Sequence, residues 1–219
     1  MNVILFGATG MIGQGVLREC LLDPKTDAIL SVGRTTTGQR GAKLRELVHR
    51  DLLNLSAIEA QLTGFDACFF CLGVSSAGMT EPAYRRVTFD ITLAVAQTLA
   101  RLNARMTFIY VSGAGTDSRE HGRIMWARIK GQTENALLRL PFKAAVMFRP
   151  ALIVLLHGVT SRTRWYRALY ALIRPLWPLL RPAFPQHVTT TQQMGRAMLR
   201  VARQSAPKSI LETRDINAL

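Results

Sequence analysis

The sequence lacks several features that would place it in a specialised class of protein. Only three of its 219 residues are cysteine, too few for the disulfide framework of a small secreted domain. It has no run of about 18 uncharged apolar residues, so we expect no membrane-spanning helix. It also lacks a secretory signal pattern, an internal repeat and a low-complexity segment. We therefore expect a globular protein located in the cytoplasm.

The small number of cysteines also bears on metal binding. Cys68 and Cys71 have the C-x-x-C spacing of zinc and redox sites. However, they fall in an apolar run typical of a strand, and no second pair completes a metal site. Residues three apart in a strand point to opposite faces of the sheet. We therefore predict reduced core cysteines and no metal site.

Acidic residues are scarce in the last third of the chain. The net charge is +14, and residues 135–219 hold 13 Lys/Arg against only Glu212 and Asp215. Within 161–185, five arginines flank an apolar and aromatic stripe at helical spacing. Three interpretations stay open for this stretch: a substrate lid, a surface resting on an anionic membrane, and core packing. We favour a lid, assigned to 157–185, that also contacts an anionic membrane or a lipid-like ligand. Nucleic acid is not an expected partner because no recognition-helix or stacking pattern is evident.

Glycines recur at the extreme N-terminus, between an apolar run and a helical pattern. Val3 to Phe6 is typical of a strand buried on both faces, and Gly7, Gly10 and Gly13 follow it. A strand-to-helix turn of this kind presents backbone N–H groups at the positive end of a helix dipole. We therefore predict a pyrophosphate site here, and an ordinary structural turn is the alternative. The predicted contacts are Gly7, Thr9, Gly10, Met11, Ile12 and Gly13.

The sequence GATGMIG at residues 7–13 resembles a known family. It is similar to the N-terminus of the atypical and extended short-chain dehydrogenase/reductases, which are NAD(P)-binding proteins of the epimerase/dehydratase kind. The resemblance extends to about Pro150, and more loosely beyond it. It implies a Rossmann fold with a dinucleotide bound at the carboxyl ends of the strands.

The order of predicted elements independently gives the same fold class. Apolar runs alternate with helical patterns over the first 150 residues, which predicts an α/β, doubly wound parallel sheet. We treat 1–219 as one domain with a small helical lid. The predicted strands are 3–6, 28–33, 47–51, 67–72, 106–111 and 145–148.

The end of the second predicted strand bears on the choice of cofactor. Arg34 lies 21 residues after Gly13, and no acid occupies this position. A guanidinium here can pair with a 2′-phosphate, which favours NADP over NAD. The resemblance implies further cofactor contacts at the ends of later strands: Asp51, Leu52, Cys71, Leu72, Gly73, Val74, Pro150, Ala151 and Leu152.

The expected catalytic group is incomplete. In the resembled family, a Ser at the end of strand five acts with a Tyr-x-x-x-Lys in the next helix, and the Lys also binds the nicotinamide ribose. Ser112 and Lys130 match the Ser and the Lys, but Trp126 stands at the Tyr position. An indole N–H is not a usable acid near neutral pH. His121 is either an alternative proton donor or a solvated loop residue.

Together these patterns predict an NADP-dependent oxidoreductase, or an epimerase/dehydratase-like enzyme, that acts on a small apolar substrate without the usual tyrosine. The alternative is a non-catalytic NADP-sensing or scaffold protein that binds a protein or membrane partner. The identity of the substrate and the oligomeric state stay open.

Overall fold

The fold is built on parallel strands. The computed structural model describes residues 1–158 and 186–219. Its strands are β1 (Asn2–Phe6), β2 (Ala28–Gly33), β3 (Leu44–Val48), β4 (Ala67–Phe70), β5 (Thr107–Val111), β6 (Ala144–Arg149), β7 (Leu152–Val154), β8 (Val188–Thr190) and β9 (Ile210–Glu212). Seven of them form one sheet in the order β3-β2-β1-β4-β5-β6-β9, while β7 pairs with β8. Every pairing is parallel. The first six positions follow the Rossmann order, so the predicted fold class is confirmed.

Helices connect the strands and cover both faces of the sheet. They are α1 (Met11–Leu22), α2 (Glu81–Arg85), α3 (Ile91–Leu102), α4 (Met125–Leu138), α5 (Thr191–Gln204) and α6 (Thr213–Ala218). A π-helical turn, Arg86–Asp90, joins α2 to α3, and a short 3-10 helix spans Ser56–Gln61. No described helix is long and apolar enough to cross a bilayer.

The sheet separates two apolar cores. One contains Val3 and Leu5 of β1 together with buried residues of α1, α5 and α6. The other contains Ile4 and Phe6 of β1 together with residues of α3 and α4. This alternation follows from the two-residue period of a strand. The inner face of α5 consists of four fully buried residues: Met194, Ala197, Met198 and Val201.

The cysteines belong to these cores. Cys68 packs in the core beside α3, whereas Cys71 packs against the core beside α1, so the two lie on opposite faces as predicted. Cys20, Cys68 and Cys71 are free thiols. Burial raises the pKa of Cys20 to about 12. Within 1–158 and 186–219, no three His, Cys, Asp or Glu side chains are grouped as metal ligands would be.

The structure corrects two sequence predictions. The third strand is Leu44–Val48 and not 47–51, because its pairing with β2 begins where Leu44 lies beside Ile29. The short elements β7, β8, β9 and α6 were not predicted, since three residues in a strand show no measurable periodicity. The predicted lid lies outside the described residues, except for His157 and Gly158 at its start.

Candidate cofactor and active site

The glycine turn between β1 and α1 is closely packed against backbone. Gly7 has φ +82°, and a Cβ on it would lie 2.6 Å from Leu72 N. A Cβ on Gly13 would lie 2.0 Å from Gly7 O. The Gly10 N–H donates to Gly7 O at 2.9 Å and fixes the turn. Side chains larger than hydrogen therefore cannot occupy Gly7 or Gly13 without moving the backbone.

The start of α1 leaves its backbone donors for a ligand. Gly10 is the N-cap and supplies no side chain, and the first turn contains no acid. The leading N–H groups of a helix have no partner within the helix, and they favour an anion. Met11 and Ile12 therefore stand where a pyrophosphate would bind. The residues present fit a dinucleotide, because the turn carries only small side chains and the start of α1 is electropositive.

Arg34 follows β2 directly at the carboxyl edge of the sheet. Its side chain is exposed, and no described residue bonds to it. The following loop is held by Glu46, which accepts a hydrogen bond from the Thr37 N–H at 2.6 Å. Arg34 is therefore free to pair with a phosphate on the adenosine ribose.

The chain beyond β3 forms a turn that carries the next two predicted contacts. Asp51 is exposed, and its Oδ1 accepts a hydrogen bond from the Leu53 N–H at 3.1 Å. Leu52 is buried in the core beside α3. Because β3 ends earlier than predicted, Asp51 belongs to this turn and not to the strand.

Of the four predicted contacts after β4, Cys71 and Leu72 adjoin the glycine turn. The Cys71 N–H donates to Phe6 O at 2.9 Å and extends the pairing with β1 by one residue. Leu72 lies against Gly7, as the close approach of its backbone nitrogen shows. A Cβ on Gly73 would meet no atom within 4 Å, and the Val74 side chain is exposed. This open stretch leaves space for a ligand to pass.

The segment after β6 is already hydrogen-bonded within the protein. The Ala151 N–H donates to Thr213 Oγ1 at 2.9 Å, and the Leu152 N–H donates to His187 O at 2.9 Å. Pro150 O accepts from the Ala114 N–H at 3.0 Å. Neither N–H is free for a nicotinamide amide, so contact there depends on other atoms of these residues.

The structure brings Ser112 and Lys130 together at the end of β5. The Lys130 ammonium on α4 donates to Ser112 O. Desolvation by burial lowers the pKa of Lys130 to about 8, although the negative charge of Glu134 opposes this shift. The Ser112 hydroxyl is directed into the protein, with Glu134 Oε1 at 2.5 Å and Phe148 O at 3.2 Å. Ser112 therefore presents its hydroxyl to Glu134 and not to the solvent side.

Behind this pair lies a buried ion pair that the sequence analysis missed. Glu134 has no exposed surface, and Arg149 Nε donates to its two carboxylate oxygens at 3.0 and 3.2 Å. A second guanidinium nitrogen, Nη2, bonds Glu134 and also donates to Ser118 Oγ at 2.5 Å. Burial disfavours the charge on Arg149, but hydrogen bonding and attraction from Glu134 hold its pKa above the usual value. Lys130 and Glu134 are four residues apart on one helix, and this spacing is the signal that would have linked them.

Three other side chains come into question as proton donors: Trp126, Tyr110 and His121. Trp126 is half-buried one turn before Lys130, with its ring against the loop at Gly115. Tyr110 is buried in the core, and desolvation raises its pKa beyond the usual range. His121 is exposed in the preceding loop.

A cavity of about 550 Å³ opens beside the glycine turn. Thr9, Gln14 and Arg18 line one side, and Thr37 and Gln39 of the loop after β2 line another. The Ser112–Lys130 pair does not line it. The cavity can therefore hold part of a ligand bound at the glycine turn but not the reacting centre.

Alignments with proteins of similar sequence cover about two thirds of this chain. Protein fmp52 of Emericella nidulans, named as mitochondrial, is 29% identical over an alignment of 159 residues that covers 69% of this chain and 66% of that protein. FMP52 of Eremothecium gossypii, also named as mitochondrial, is 28% identical over 156 residues, covering 70% of this chain and 67% of that protein. The chain thus spans slightly less than two thirds of the fmp52 length. These names contradict the predicted cytoplasmic location, which is wrong. The lack of a secretory pattern, on which that prediction was based, does not distinguish the cytoplasm from an organelle.

Solved structures share the fold at low sequence identity. MoeE5 in complex with UDP-glucuronic acid and NAD superposes with a TM-score of 0.71 at 16% identity, covering 96% of this chain and 75% of that one. The enzyme WbmF of Bordetella bronchiseptica in complex with NAD⁺ gives a TM-score of 0.66 at 13% identity, covering 99% and 76%.

A family model matches more than half of the chain. The model is the NAD dependent epimerase/dehydratase family, and it matches residues 3–123. The match includes the glycine turn and Ser112, and it ends before α4. This chain belongs to the NAD dependent epimerase/dehydratase family.

Proposed function

We propose that this protein is an NADP-dependent oxidoreductase that reduces a small carbonyl compound with apolar substituents. The main support is the position of the Lys130 ammonium, which is held at the carboxyl edge of the sheet beside Ser112. Family membership and NAD in two solved neighbours support a nicotinamide dinucleotide as cofactor. Val74 follows β4, and Ile124 directly precedes α4. The apolar side chains of both residues are exposed, which supports an apolar substrate.

The choice of NADP rests on Arg34. Its guanidinium is exposed, unpaired among the described residues, and placed directly after β2. A charge-assisted hydrogen bond to a 2′-phosphate is stronger than a neutral one, and no acid stands there to favour a ribose hydroxyl.

The other residues of the site have separate roles in binding and positioning. The glycine turn and the start of α1 bind the pyrophosphate. Lys130 orients the ribose next to the nicotinamide and keeps a positive charge beside the reacting carbonyl. When bound, the reduced cofactor supplies a hydride. The Trp126 ring covers the loop at Gly115, which follows β5.

Cofactor choice is tested by titration calorimetry with NADPH and NADH. We expect NADPH to bind more tightly by about 1–3 kcal/mol, and Arg34→Ala to remove most of this difference. Arg40→Ala is the matched control, because Arg40 is an exposed arginine of the same loop. Equal affinities in the unmodified protein would contradict NADP preference.

Turnover is tested by following NADPH absorbance with a panel of aliphatic and aromatic aldehydes and ketones. We expect slow oxidation that depends on the carbonyl compound. Tight NADPH binding without oxidation by any compound would favour the second candidate function.

That second candidate is a non-catalytic protein that binds NADP and responds to it. Two observations favour it: Trp126 replaces the usual proton donor, and the Ser112 hydroxyl is engaged by Glu134. In this case the cofactor would alter binding to a partner and not be consumed.

A further inference from the structure

Carbonyl reduction requires a proton at the developing oxyanion, and the described residues offer few sources. The Trp126 indole does not release a proton near neutral pH. The Ser112 hydroxyl is directed at Glu134. Tyr84 and Tyr110 are buried within the fold, with 2% of each exposed. None of these four groups can serve as the acid.

The fifth group, His121, lies in a loop that is hydrogen-bonded within itself. Asp117 accepts hydrogen bonds from the N–H groups of Gly122 at 2.6 Å and Arg119 at 3.0 Å, which fixes the turn around His121. The His121 side chain is exposed to solvent. No described residue forms a hydrogen bond with its ring that would direct it toward Ser112.

Lys130 is placed at the site itself. Its ammonium has three N–H donors, of which one bonds Ser112 O. A Cβ built on Gly113 would lie 3.9 Å from Lys130 Nζ and 3.9 Å from Pro150 O, so the ammonium sits beside the loop that follows β5. Two donors stay available for a ribose hydroxyl and a substrate oxygen.

The charges around Lys130 decide how it holds its proton. Glu134, one turn along α4, favours the charged form, but its carboxylate is shared with Arg149 of β6. Tyr110 of β5 lies behind Glu134 as a neutral phenol because burial raises its pKa. Desolvation outweighs these contributions and lowers the pKa of Lys130 to about 8. At neutral pH the group is therefore protonated, yet it can release a proton readily.

We propose that Lys130 is the general acid of this protein and itself donates the proton that a tyrosine usually supplies. This inference rests on the proposed function. The hydride of the reduced nicotinamide forms the new C–H bond, and the carbonyl π electrons pass to oxygen. A Lys130 N–H bond breaks as the O–H bond forms, which leaves an alcohol, an oxidised cofactor and a neutral amine. The amine then takes a proton from solvent.

The kinetic test is the pH dependence of turnover at saturating NADPH. The rate should fall as pH rises through about 8, because the reacting form is the ammonium. Lys130→Arg keeps a cation and a donor to Ser112 O, but a guanidinium does not release its proton. We expect the turnover rate of Lys130→Arg to be lower by about 10²–10⁴-fold. Its pH–rate profile should no longer fall near pH 8. Its affinity for NADPH should stay within about tenfold of the unmodified protein. Lys143→Arg is the control, since Lys143 is exposed where β6 begins.

A second test measures the amine directly and does not need turnover. Reductive methylation with ¹³C-formaldehyde labels the five lysines, and the signal missing in Lys130→Arg is assigned to Lys130. It should titrate near pH 8. Titration near the usual lysine value, or turnover of Lys130→Arg with an unchanged pH profile, would overturn the inference alone. The inference would also be overturned if Tyr166→Phe or Tyr170→Phe lowered the turnover rate by about 10²–10⁴-fold while Lys130→Arg stayed active. NADPH binding without any turnover would overturn the proposed function and this inference with it.

Discussion

Removing the guanidinium of Arg149 should destabilise the protein severely. Glu134 has no exposed surface, and its charge is balanced by Arg149 through bonds at 3.0 and 3.2 Å and a further one from Nη2. Arg149→Leu leaves the carboxylate buried with only the Ser112 hydroxyl as a described hydrogen-bond partner. Breaking such a pair by removing one member typically costs about 3–5 kcal/mol.

Replacing both charged groups should cost far less. In Glu134→Met combined with Arg149→Leu, neither member of the ion pair is left buried without its partner, and such replacements are often neutral or stabilising. The Ser112 hydroxyl would keep Phe148 O as acceptor at 3.2 Å. We therefore expect the double variant to recover most of the stability lost in Arg149→Leu.

The measurement is urea unfolding followed by circular dichroism at neutral pH without cofactor. Arg101→Leu is the matched control, because Arg101 pairs with Glu59 at 2.5 Å but their side chains are 59% and 32% exposed. Exposed pairs contribute about 0–1 kcal/mol. If Arg149→Leu costs no more than this control, or if the double variant is as unstable as the single one, the ion pair does not hold the site as argued.

Three further predictions concern the turn and the site. Gly13→Ala should lower the free energy of unfolding by about 1–3 kcal/mol and weaken NADPH binding, because its Cβ would overlap Gly7 O; Gly73→Ala, whose Cβ meets nothing within 4 Å, should leave thermal stability unchanged. Trp126→Tyr should accelerate carbonyl reduction measured by NADPH absorbance, since it adds a phenol one helical turn from Lys130; an unchanged rate would mean that the phenol does not reach the substrate. Between pH 8 and 10.5, the unmodified protein should gain up to about 3 kcal/mol of unfolding free energy relative to Lys130→Met. In this interval the unfolded chain still binds the proton that the folded chain has released, and parallel urea titrations would show no such gain if Lys130 titrates normally.

The sequence predicted the elements of the fold that have a long apolar pattern or a clear boundary residue at the end. β2 ends where predicted, because Gly33 marks a clear boundary. The third strand was misplaced because Leu47 and Val48 lie at its end, and its earlier residues are mixed in polarity. β9 was missed because its three residues are defined by their neighbour β6 and not by their own pattern.

The candidate site was predicted unevenly. Ser112 and Lys130 could be identified by spacing and resemblance, and the structure places them in contact. The partner of Ser112 could not be predicted, since Glu134 and Arg149 meet only when α4 packs beside β6. The occupied N–H groups of Ala151 and Leu152 depend on Thr213 and His187, which are distant in sequence.

The contact between α1 and α5 has a consequence for the order in which the chain can fold. Gly15 packs against Thr191 and Gly195 against Glu19, so α1, which begins at the glycine turn, is covered by α5. A ribosome would release the nucleotide-binding strands long before α5 is made. Until then the apolar side of α1, with Val16, would face solvent or a chaperone. The packing of α1 thus depends on a helix that is synthesised about 170 residues after it.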